Sequence, residues 1–233
     1  MSHFNAVLPS KPLLTEIGPI FSIFQLGANA QMKLFLLIYL VLFYGLAFFW
    51  RSFATWRATG INPYRLAQAE GLAGFLGRLF RLVSLGLAAV VLLYTLAPAN
   101  WYAYLGPLVW LENGTVTAVG ILLLTVAFFL VLIAQAQMGN SWRIGIDDKH
   151  KTQLVTHGIF RFSRNPIFLG MRLNLLGLFL VLPNAVTLTL WLLGDVTIHA
   201  QIFLEEQHLN QQHGTSYQSY QAMTPRYFGW PRS

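Results

Sequence analysis

Five apolar stretches of membrane-spanning length dominate this sequence. They cover about residues 33–50, 79–98, 115–136, 167–182 and 185–204. A transmembrane helix needs roughly 17–25 apolar residues, so each stretch is close to the required length and the fourth is slightly short. We therefore expect an all-α integral membrane protein with about five transmembrane helices.

The overall composition agrees with a membrane protein. Of the 233 residues, 55% are hydrophobic and only 10% are charged, whereas a soluble domain carries about 25% charged residues. The length suits one compact membrane domain. Residues 1–136 would hold a segment (4–28) that lies on the outer surface, or alternatively makes a short extra crossing, and then three spans. Residues 137–233 would hold a loop, two spans and a tail. The chain has no cysteine, which excludes disulfides, thiolate metal sites and cysteine nucleophiles.

The basic residues predict the orientation in the membrane. They collect in two loops: Arg51, Arg57, Arg65 and Arg78 precede the second span, and Arg143, Lys149, Lys151, Arg161 and Arg164 precede the fourth. The loop at 99–114 has no Lys or Arg. The positive-inside rule places both basic loops and the C-terminus in the cytoplasm, and the N-terminus outside. Because these cations flank apolar segments and form no dense run, nucleic acid is not an expected partner.

The last two spans should form a hairpin. Pro183-Asn184 separates them, and such a dipeptide marks a tight turn. The hairpin would bring residue 167 beside residue 204, so the 137–166 loop, both inner helix ends and the 205–233 tail converge at the cytoplasmic face. Polar residues near hydrocarbon usually mark a functional site.

Arg164-Asn165-Pro166 begins the fourth span. Proline is favoured at a first helical position, and the free amides of a helix N-terminus suit an anion. The plain alternative is that Arg164 is one more cytoplasmic flanking charge.

Several polar residues follow one side of the fifth span. Glu205 and Glu206 lie at the end of this span. A carboxylate pair at that position suits the ammonium or the ribose hydroxyls of a cofactor. The alternative is that the two residues form a solvated helix end. Asp195 and His199 lie four residues apart and share a face; for Asp195 we expect an interhelical hydrogen bond. No metal site is expected, because Glu205-x-x-His208 is only half of a di-iron motif.

An ordered set of short motifs runs through the last hundred residues. In chain order they are Ser141-Trp142-Arg143, Leu154-Val155-Thr156-x-Gly158-x-Phe160, Arg164-Asn165-Pro166-x-Phe168-x-Gly170, Glu205-Glu206, Gly214-x-x-Tyr217-x-x-Tyr220 and Pro225-Arg226-Tyr227. With a membrane hairpin between its halves, this set resembles bacterial members of the isoprenylcysteine carboxyl methyltransferase and phospholipid methyltransferase superfamily. The resemblance covers about residues 135–230.

The resemblance implies an S-adenosylmethionine-dependent methyltransferase without a Rossmann domain. The loop and the first hairpin helix would wrap the cofactor, through Thr152, Gln153, Leu154, Val155, His157, Gly158, Phe160, Arg164, Asn165, Pro166, Ile167 and Phe168. Glu205 would hold the amino-acid portion of the cofactor, with Glu206 and the tail tyrosines in support. Glu205, Arg164 and Gln201 are the candidate catalytic residues.

Two departures from the family pattern bear on the acceptor. Asn165 stands where the family often has histidine, so no imidazole base is available there. Gln201 stands where eukaryotic prenylcysteine enzymes have an arginine that faces the substrate carboxylate, and a neutral amide is a poor carboxylate clamp. We therefore expect a lipophilic or small acceptor other than prenylcysteine, with carboxylate, thiol and amine left open.

Two other functions remain as alternatives. Membrane sterol reductases share a similar C-terminal hairpin and tail, and the basic residues of the 143–164 loop suit the phosphates of NADPH. A non-catalytic membrane scaffold is the third possibility. Under the leading hypothesis the partners are the lipid bilayer and the methyl acceptor, the protein lies in a bacterial inner membrane, and its site faces the cytoplasm. The oligomeric state is left open.

Overall fold

The computed structural model describes residues 17–60, 71–139 and 153–231, with side chains from residue 29 onward. Its helices are α1 Ile17–Tyr44, α2 Arg51–Thr59, α3 Gly71–Leu96, α4 Gly114–Met138, α5 Pro166–Val181, α6 Ala185–His213 and α7 Thr215–Met223. A π-helical segment, Gly45–Trp50, joins α1 to α2, and short 3₁₀ turns cover Ala99–Leu105, Val109–Leu111 and Gly158–Arg161. No strand occurs in the described ranges, so the predicted all-α class is confirmed.

The predicted membrane spans all correspond to helices. Four described helices are long and apolar enough to cross a bilayer, namely Asn29–Thr59, Gly71–Leu96, Gly114–Met138 and Ala185–His213. The fifth, Pro166–Val181, is apolar but shorter. It pairs with α6 across the turn at Pro183 and Asn184, which gives the expected C-terminal hairpin.

Helix ends differ from the ends of the apolar stretches. The fifth stretch ends near residue 204, but α6 continues to His213 and stops at Gly214, whose φ is +53°. Hydropathy reports where apolar side chains end, while a helix continues until a residue such as glycine allows the backbone to leave it. Glu205 and Glu206 therefore lie inside a helix rather than at its end. At the other terminus, residues 17–28 of the predicted surface segment continue α1, and residues 4–16 lie outside the described part.

Close glycine contacts fix α4 against α5. A Cβ added to Gly177 would lie 3.0 Å from the Gly120 carbonyl oxygen, and one added to Gly120 would lie 3.0 Å from the Gly177 oxygen. Nearer the N-terminal end of α5, a Cβ on Gly170 would lie 2.6 Å from a methyl group of Val131. Small residues let membrane helices approach this closely and gain van der Waals contact. The start of α5 is thereby held against α4.

Buried hydrogen bonds hold the hairpin at the middle of α5 and at the turn between α5 and α6. Tyr39 donates to Asn174 Oδ1 (2.6 Å) and to the Leu124 carbonyl (3.2 Å), which joins α1, α5 and α4. At the turn, the Asn184 side chain accepts from the Thr187 amide (2.9 Å) and caps α6. These contacts fix the register of α5 and α6, so the start of α5 and the far end of α6 stay side by side.

Candidate functional site

Glu206 lies at the centre of a buried ionic cluster. Its carboxylate accepts from Arg164 Nη2 (3.0 Å), Arg226 Nη2 (2.8 Å) and Asn165 Nδ2 (3.0 Å), and its side chain is only 5% exposed. Charge-assisted hydrogen bonds of this kind are among the strongest in proteins. We call Arg164, Asn165, Glu206 and Arg226 the Glu206 cluster. It joins the start of α5, the inner part of α6 and the tail, as the hairpin prediction requires.

Helix α7 and the residue after it are also bound to the loop before α5. Arg164 Nη1 donates to the carbonyls of Thr224 (2.6 Å) and Gln221 (3.2 Å). Tyr220 donates its hydroxyl to the Phe160 carbonyl (2.6 Å). Most of the donor capacity of Arg164 is therefore used inside the protein. Helix α7 and the tail after it (215–231) lie over the loop, and we call this segment the strap.

The ionisable side chains of the strap, Arg226, Tyr217 and Tyr220, each keep one protonation state at physiological pH. The hydrogen bond to Glu206 raises the pKa of Arg226, which stays charged. Burial raises the pKa of Tyr217 to about 12, and burial also raises the pKa of Tyr220. Both tyrosines are therefore neutral phenols at physiological pH, which suits support rather than proton transfer.

Glu205 differs sharply from its neighbour. It is half-buried, and its carboxylate makes no hydrogen bond or ion pair with any described residue. One turn earlier, Gln201 is 9% exposed and its Oε1 is buried without a hydrogen-bond partner among the described residues. Residues four apart lie on one helix face. We call Gln201 and Glu205 the Gln201–Glu205 face, because its side-chain oxygens can accept hydrogen bonds and have no donor among the described residues.

The loop before α5 carries most of the predicted cofactor residues. Gly158 has a φ of +62°, and a Cβ there would clash with the Gln137 side chain. Gln137 Oε1 accepts from the Ile159 amide (2.9 Å), which fastens the loop to the end of α4. Glycine is the residue that adopts this backbone conformation without strain.

The described loop residues differ in exposure. Phe160 is buried at 6%, Leu154 and Val155 are half-buried, and Gln153 and His157 are exposed. Thr152 and the motif at 141–143 lie outside the described residues. At the start of α5, Asn165 and Pro166 are buried, whereas Ile167 and Phe168 are half-buried in its first turn. The cofactor role of each of these residues stays a prediction.

A second ionic cluster lies deeper in the hairpin. Arg172 Nε and Nη2 donate to the two carboxylate oxygens of Asp195 at 2.5 Å and 3.0 Å, which confirms the expected interhelical bond of Asp195. The Arg172 guanidinium also lies 4.7 Å from the ring centroid of Tyr227, and Tyr227 contacts His199 Nδ1 at 2.5 Å. The tail thus reaches the membrane hairpin as well as the loop.

Sequence reasoning missed the roles of Arg226, Tyr227 and Gln137. Arg226 and Tyr227 were visible as a motif, but nothing in a linear pattern shows which carboxylate or ring they meet. For Gln137 a signal was available, because a polar amide in the last turn of an apolar membrane helix usually binds something.

The comparison with protein families places this site in a known group. Residues 115–216 match the phospholipid methyltransferase family. The match runs from the start of α4 into α7 and includes the loop, the hairpin, Glu205 and Glu206. This family belongs to the isoprenylcysteine carboxyl methyltransferase-like superfamily, so the resemblance to that superfamily is confirmed over these residues, while the resemblance to its bacterial members stays a prediction. The family match indicates a membrane methyltransferase. No curated protein matches the chain.

Proposed function

We propose that this chain is an S-adenosylmethionine-dependent membrane methyltransferase whose cofactor binds at the cytoplasmic end of the α5–α6 hairpin. The observation that carries the proposal is the contrast between two adjacent carboxylates. Glu206 is saturated by protein donors, whereas Glu205 has none among the described residues. A half-buried charge without a partner is costly, and a cationic ligand would offset that cost.

The residues present fit the chemistry of S-adenosylmethionine. Its amino-acid portion carries an ammonium, which matches the carboxylate of Glu205. Its carboxylate matches the N-terminus of α5, where Ile167 and Phe168 lie in the first turn and backbone amides favour an anion. The apolar side chains of Leu154 and Val155 suit the adenine ring.

The chain has little covalent chemistry to perform in this reaction. The bound cofactor supplies a methyl group already activated on a sulfonium. The residues of the hairpin have to hold donor and acceptor in line and exclude water, and such positioning alone lowers a barrier by up to roughly 7–11 kcal/mol. The Glu206 cluster and the strap serve this task by holding the loop and the start of α5.

The acceptor remains lipophilic or small, and the ionic clusters bear on its charge. Arg164 and Arg226 pair with Glu206, and Arg172 pairs with Asp195. These arginines are therefore engaged, and Gln201 is neutral, so a carboxylate acceptor such as prenylcysteine is disfavoured. A thiolate needs no strong base, whereas an amine has to lose one proton, for which Glu205 and His208 are the candidate helpers on α6.

Ligand stabilisation of the purified full-length protein tests the proposal. S-adenosylhomocysteine at about 100 times its dissociation constant should stabilise the fold by about 2.7 kcal/mol, visible as a rise in melting temperature. NADPH should give no rise. A rise with NADPH alone would support the reductase alternative, and no rise with either ligand would support a non-catalytic protein.

The orientation is part of the same proposal. The loop charges and the family resemblance support a bacterial inner-membrane protein with its site in the cytoplasm, where the cofactor is made. A reporter that is active only in the cytoplasm should give signal when fused to Ser233. A silent cytoplasmic reporter together with an active periplasmic one would overturn this topology.

A further inference from the structure

We propose that the C-terminal tail dips into the bilayer beside α6 and is anchored there by Phe228 and Trp230. The part that dips is residues 225–229, which we call the tail turn. Its partner is the lipid of the leaflet around the start of α5. This arrangement requires the membrane hairpin but does not depend on the proposed methyl transfer.

The tail turn has both ends fixed to the loop before α5. The Pro225 carbonyl accepts from the Arg164 amide (3.0 Å), and the Gly229 amide donates to the Phe162 carbonyl (3.0 Å). The two ends also lie close together, because a Cβ added to Gly229 would be 3.1 Å from the Pro225 ring. Residues 226–228 therefore leave the loop and return to it within one tight turn.

The tip of the tail turn packs on α6. The Tyr227 hydroxyl contacts His199 Nδ1 at 2.5 Å. The Arg226 guanidinium lies 4.4 Å from the centroid of the Phe203 ring. Because His199 and Phe203 are both exposed, the tail turn lies against the outside of the helix bundle.

This side of α6 is the side that faces lipid. His199 and Phe203 share it with Leu192 and Val196, which are also exposed. Successive members of this stripe are three or four residues apart, so they lie on one helix face. Large apolar side chains exposed on a membrane-spanning helix are surrounded by lipid tails. The tail turn therefore covers part of a lipid-facing surface.

Two helices give the same depth for the tip. His199 lies five residues before the end of its apolar stretch, near residue 204. Arg172, whose guanidinium lies 4.7 Å from the centroid of the Tyr227 ring, lies five residues after the start of the other stretch, near residue 167. At a rise of 1.5 Å per residue, both positions are about 7–8 Å inside the apolar layer. The Tyr227 hydroxyl thus reaches below the headgroups.

The residues that follow Tyr227 present bare aromatic rings at this level. Phe228 is 75% exposed and Trp230 is 83% exposed. Trp230 has an edge contact with Phe162, with ring centroids 5.6 Å apart, so the chain has returned to the level of the loop at that point. Tryptophan is favoured at the headgroup level of a bilayer. We therefore place Trp230 among the headgroups and Phe228 at the boundary with the acyl chains.

The tail turn lies in the membrane without crossing it, because both of its ends meet the same loop. Apolar segments that lie in the interface are held by the apolar area that they bury in it. The strap would then be fastened by lipid as well as by its hydrogen bonds to the loop. Loss of the lipid contact should therefore loosen the loop before α5.

Fluorescence quenching tests the depth of the tail turn. The chain has no cysteine, so a single introduced cysteine carries a label at one position. Full-length Phe228→Cys and the control Ser219→Cys, at an exposed position of α7, are labelled in phosphatidylcholine nanodiscs. Lipids with a nitroxide near the headgroup should quench the label at residue 228 at least twofold more than the label at residue 219. Aqueous iodide should quench it at least twofold less.

Equal quenching at the two positions would overturn the proposal. A label at residue 228 that neither quencher reaches would overturn it too, because protein, such as a second copy of the chain, would then cover the position.

Substitution of Phe228 tests whether lipid contact anchors the turn. Phe228→Gln removes the apolar ring, whereas Phe228→Trp keeps a ring that the interface favours. In nanodiscs, hydrogen exchange of the Arg164 amide should rise at least fivefold in Phe228→Gln and less than twofold in Phe228→Trp. The same exchange rate in both variants would show that lipid does not anchor the turn. Neither measurement uses a bound cofactor, so both results stand even if the proposed methyl transfer is wrong.

Discussion

Two adjacent glutamates on α6 have opposite surroundings. Glu206 is 5% exposed and receives hydrogen bonds from two arginines and an asparagine. Glu205 is half-buried and receives none from the described residues. Successive residues on a helix point about 100° apart. Glu206 therefore faces the loop and the tail, whereas Glu205 lies on the Gln201–Glu205 face.

Under the proposed function, this difference separates a structural carboxylate from a ligand-binding one. A buried ion pair is retained when every member is satisfied, and removing one member leaves charges that nothing offsets. An unsatisfied carboxylate contributes nothing to the fold that would explain its burial. We therefore expect a substitution of Glu206 to lower the stability of the fold, and a substitution of Glu205 to lower the affinity for the cofactor.

The largest expected effect is on stability at Glu206. Glu206→Gln should lower the free energy of unfolding by about 3–5 kcal/mol, because Arg164 and Arg226 lose their shared counterion. Thermal unfolding in detergent measures this as a fall in melting temperature. The matched control is Glu112→Gln, an exposed glutamate in the loop between α3 and α4, which should leave stability within about 0.5 kcal/mol. Similar small changes in both would show that the Glu206 cluster is not structural.

The next effect is on cofactor affinity at Glu205. Glu205→Gln should weaken S-adenosylhomocysteine binding by about tenfold to a hundredfold, or roughly 1.5–3 kcal/mol, because one charge-assisted contact is lost. Stability should not fall, since the carboxylate has no described partner to lose. Calorimetry on the folded variant measures the affinity. An unchanged dissociation constant would remove Glu205 from the site and end the distinction between the two glutamates.

A smaller effect concerns the acceptor at Gln201. Gln201→Arg should raise methylation of a carboxylate acceptor relative to a neutral one by about tenfold, because a guanidinium binds carboxylate in a bidentate way. It should also reduce turnover of a cationic acceptor. Competition assays with paired acceptors measure the ratio, and the exposed Gln207→Arg serves as control. An identical ratio in the two variants would show that Gln201 does not face the acceptor.

The smallest effect tests the strap. Tyr220→Phe removes the hydrogen bond to the Phe160 carbonyl and should cost about 1 kcal/mol of stability. The loop should also become more accessible to hydrogen exchange around residues 158–161. Tyr104→Phe, at an exposed position (85%) of the loop between α3 and α4, is the control. Exchange in the loop that matches the wild-type rate would mean that the strap does not hold it.

The sequence predicted the membrane class and the hairpin well. Apolar runs, basic loops and the Pro183-Asn184 turn are local signals, and each reports a property that the bilayer imposes on neighbouring residues. The extension of α6 to His213 was not predicted, because residues such as Gln207 and His208 are polar yet compatible with a helix.

The candidate site was predicted as a region rather than as a set of contacts. The order of motifs located the loop, Arg164 and the two glutamates, and it led to the family that residues 115–216 match. It did not show that Arg164 is engaged by Glu206 and by the strap, or that Arg172 pairs with Asp195. An arginine in a sequence carries the same charge whether its partner is a protein carboxylate or a ligand.

The sequence by itself determined that this chain lies in a membrane, that its last two spans form a hairpin, and that its polar residues collect at one end. Only the tertiary structure decided which of those polar residues satisfy one another and which remain open. The reason is physical. Hydrophobicity belongs to each residue and can be read in order, whereas a satisfied or unsatisfied charge depends on partners that meet only when distant segments pack together.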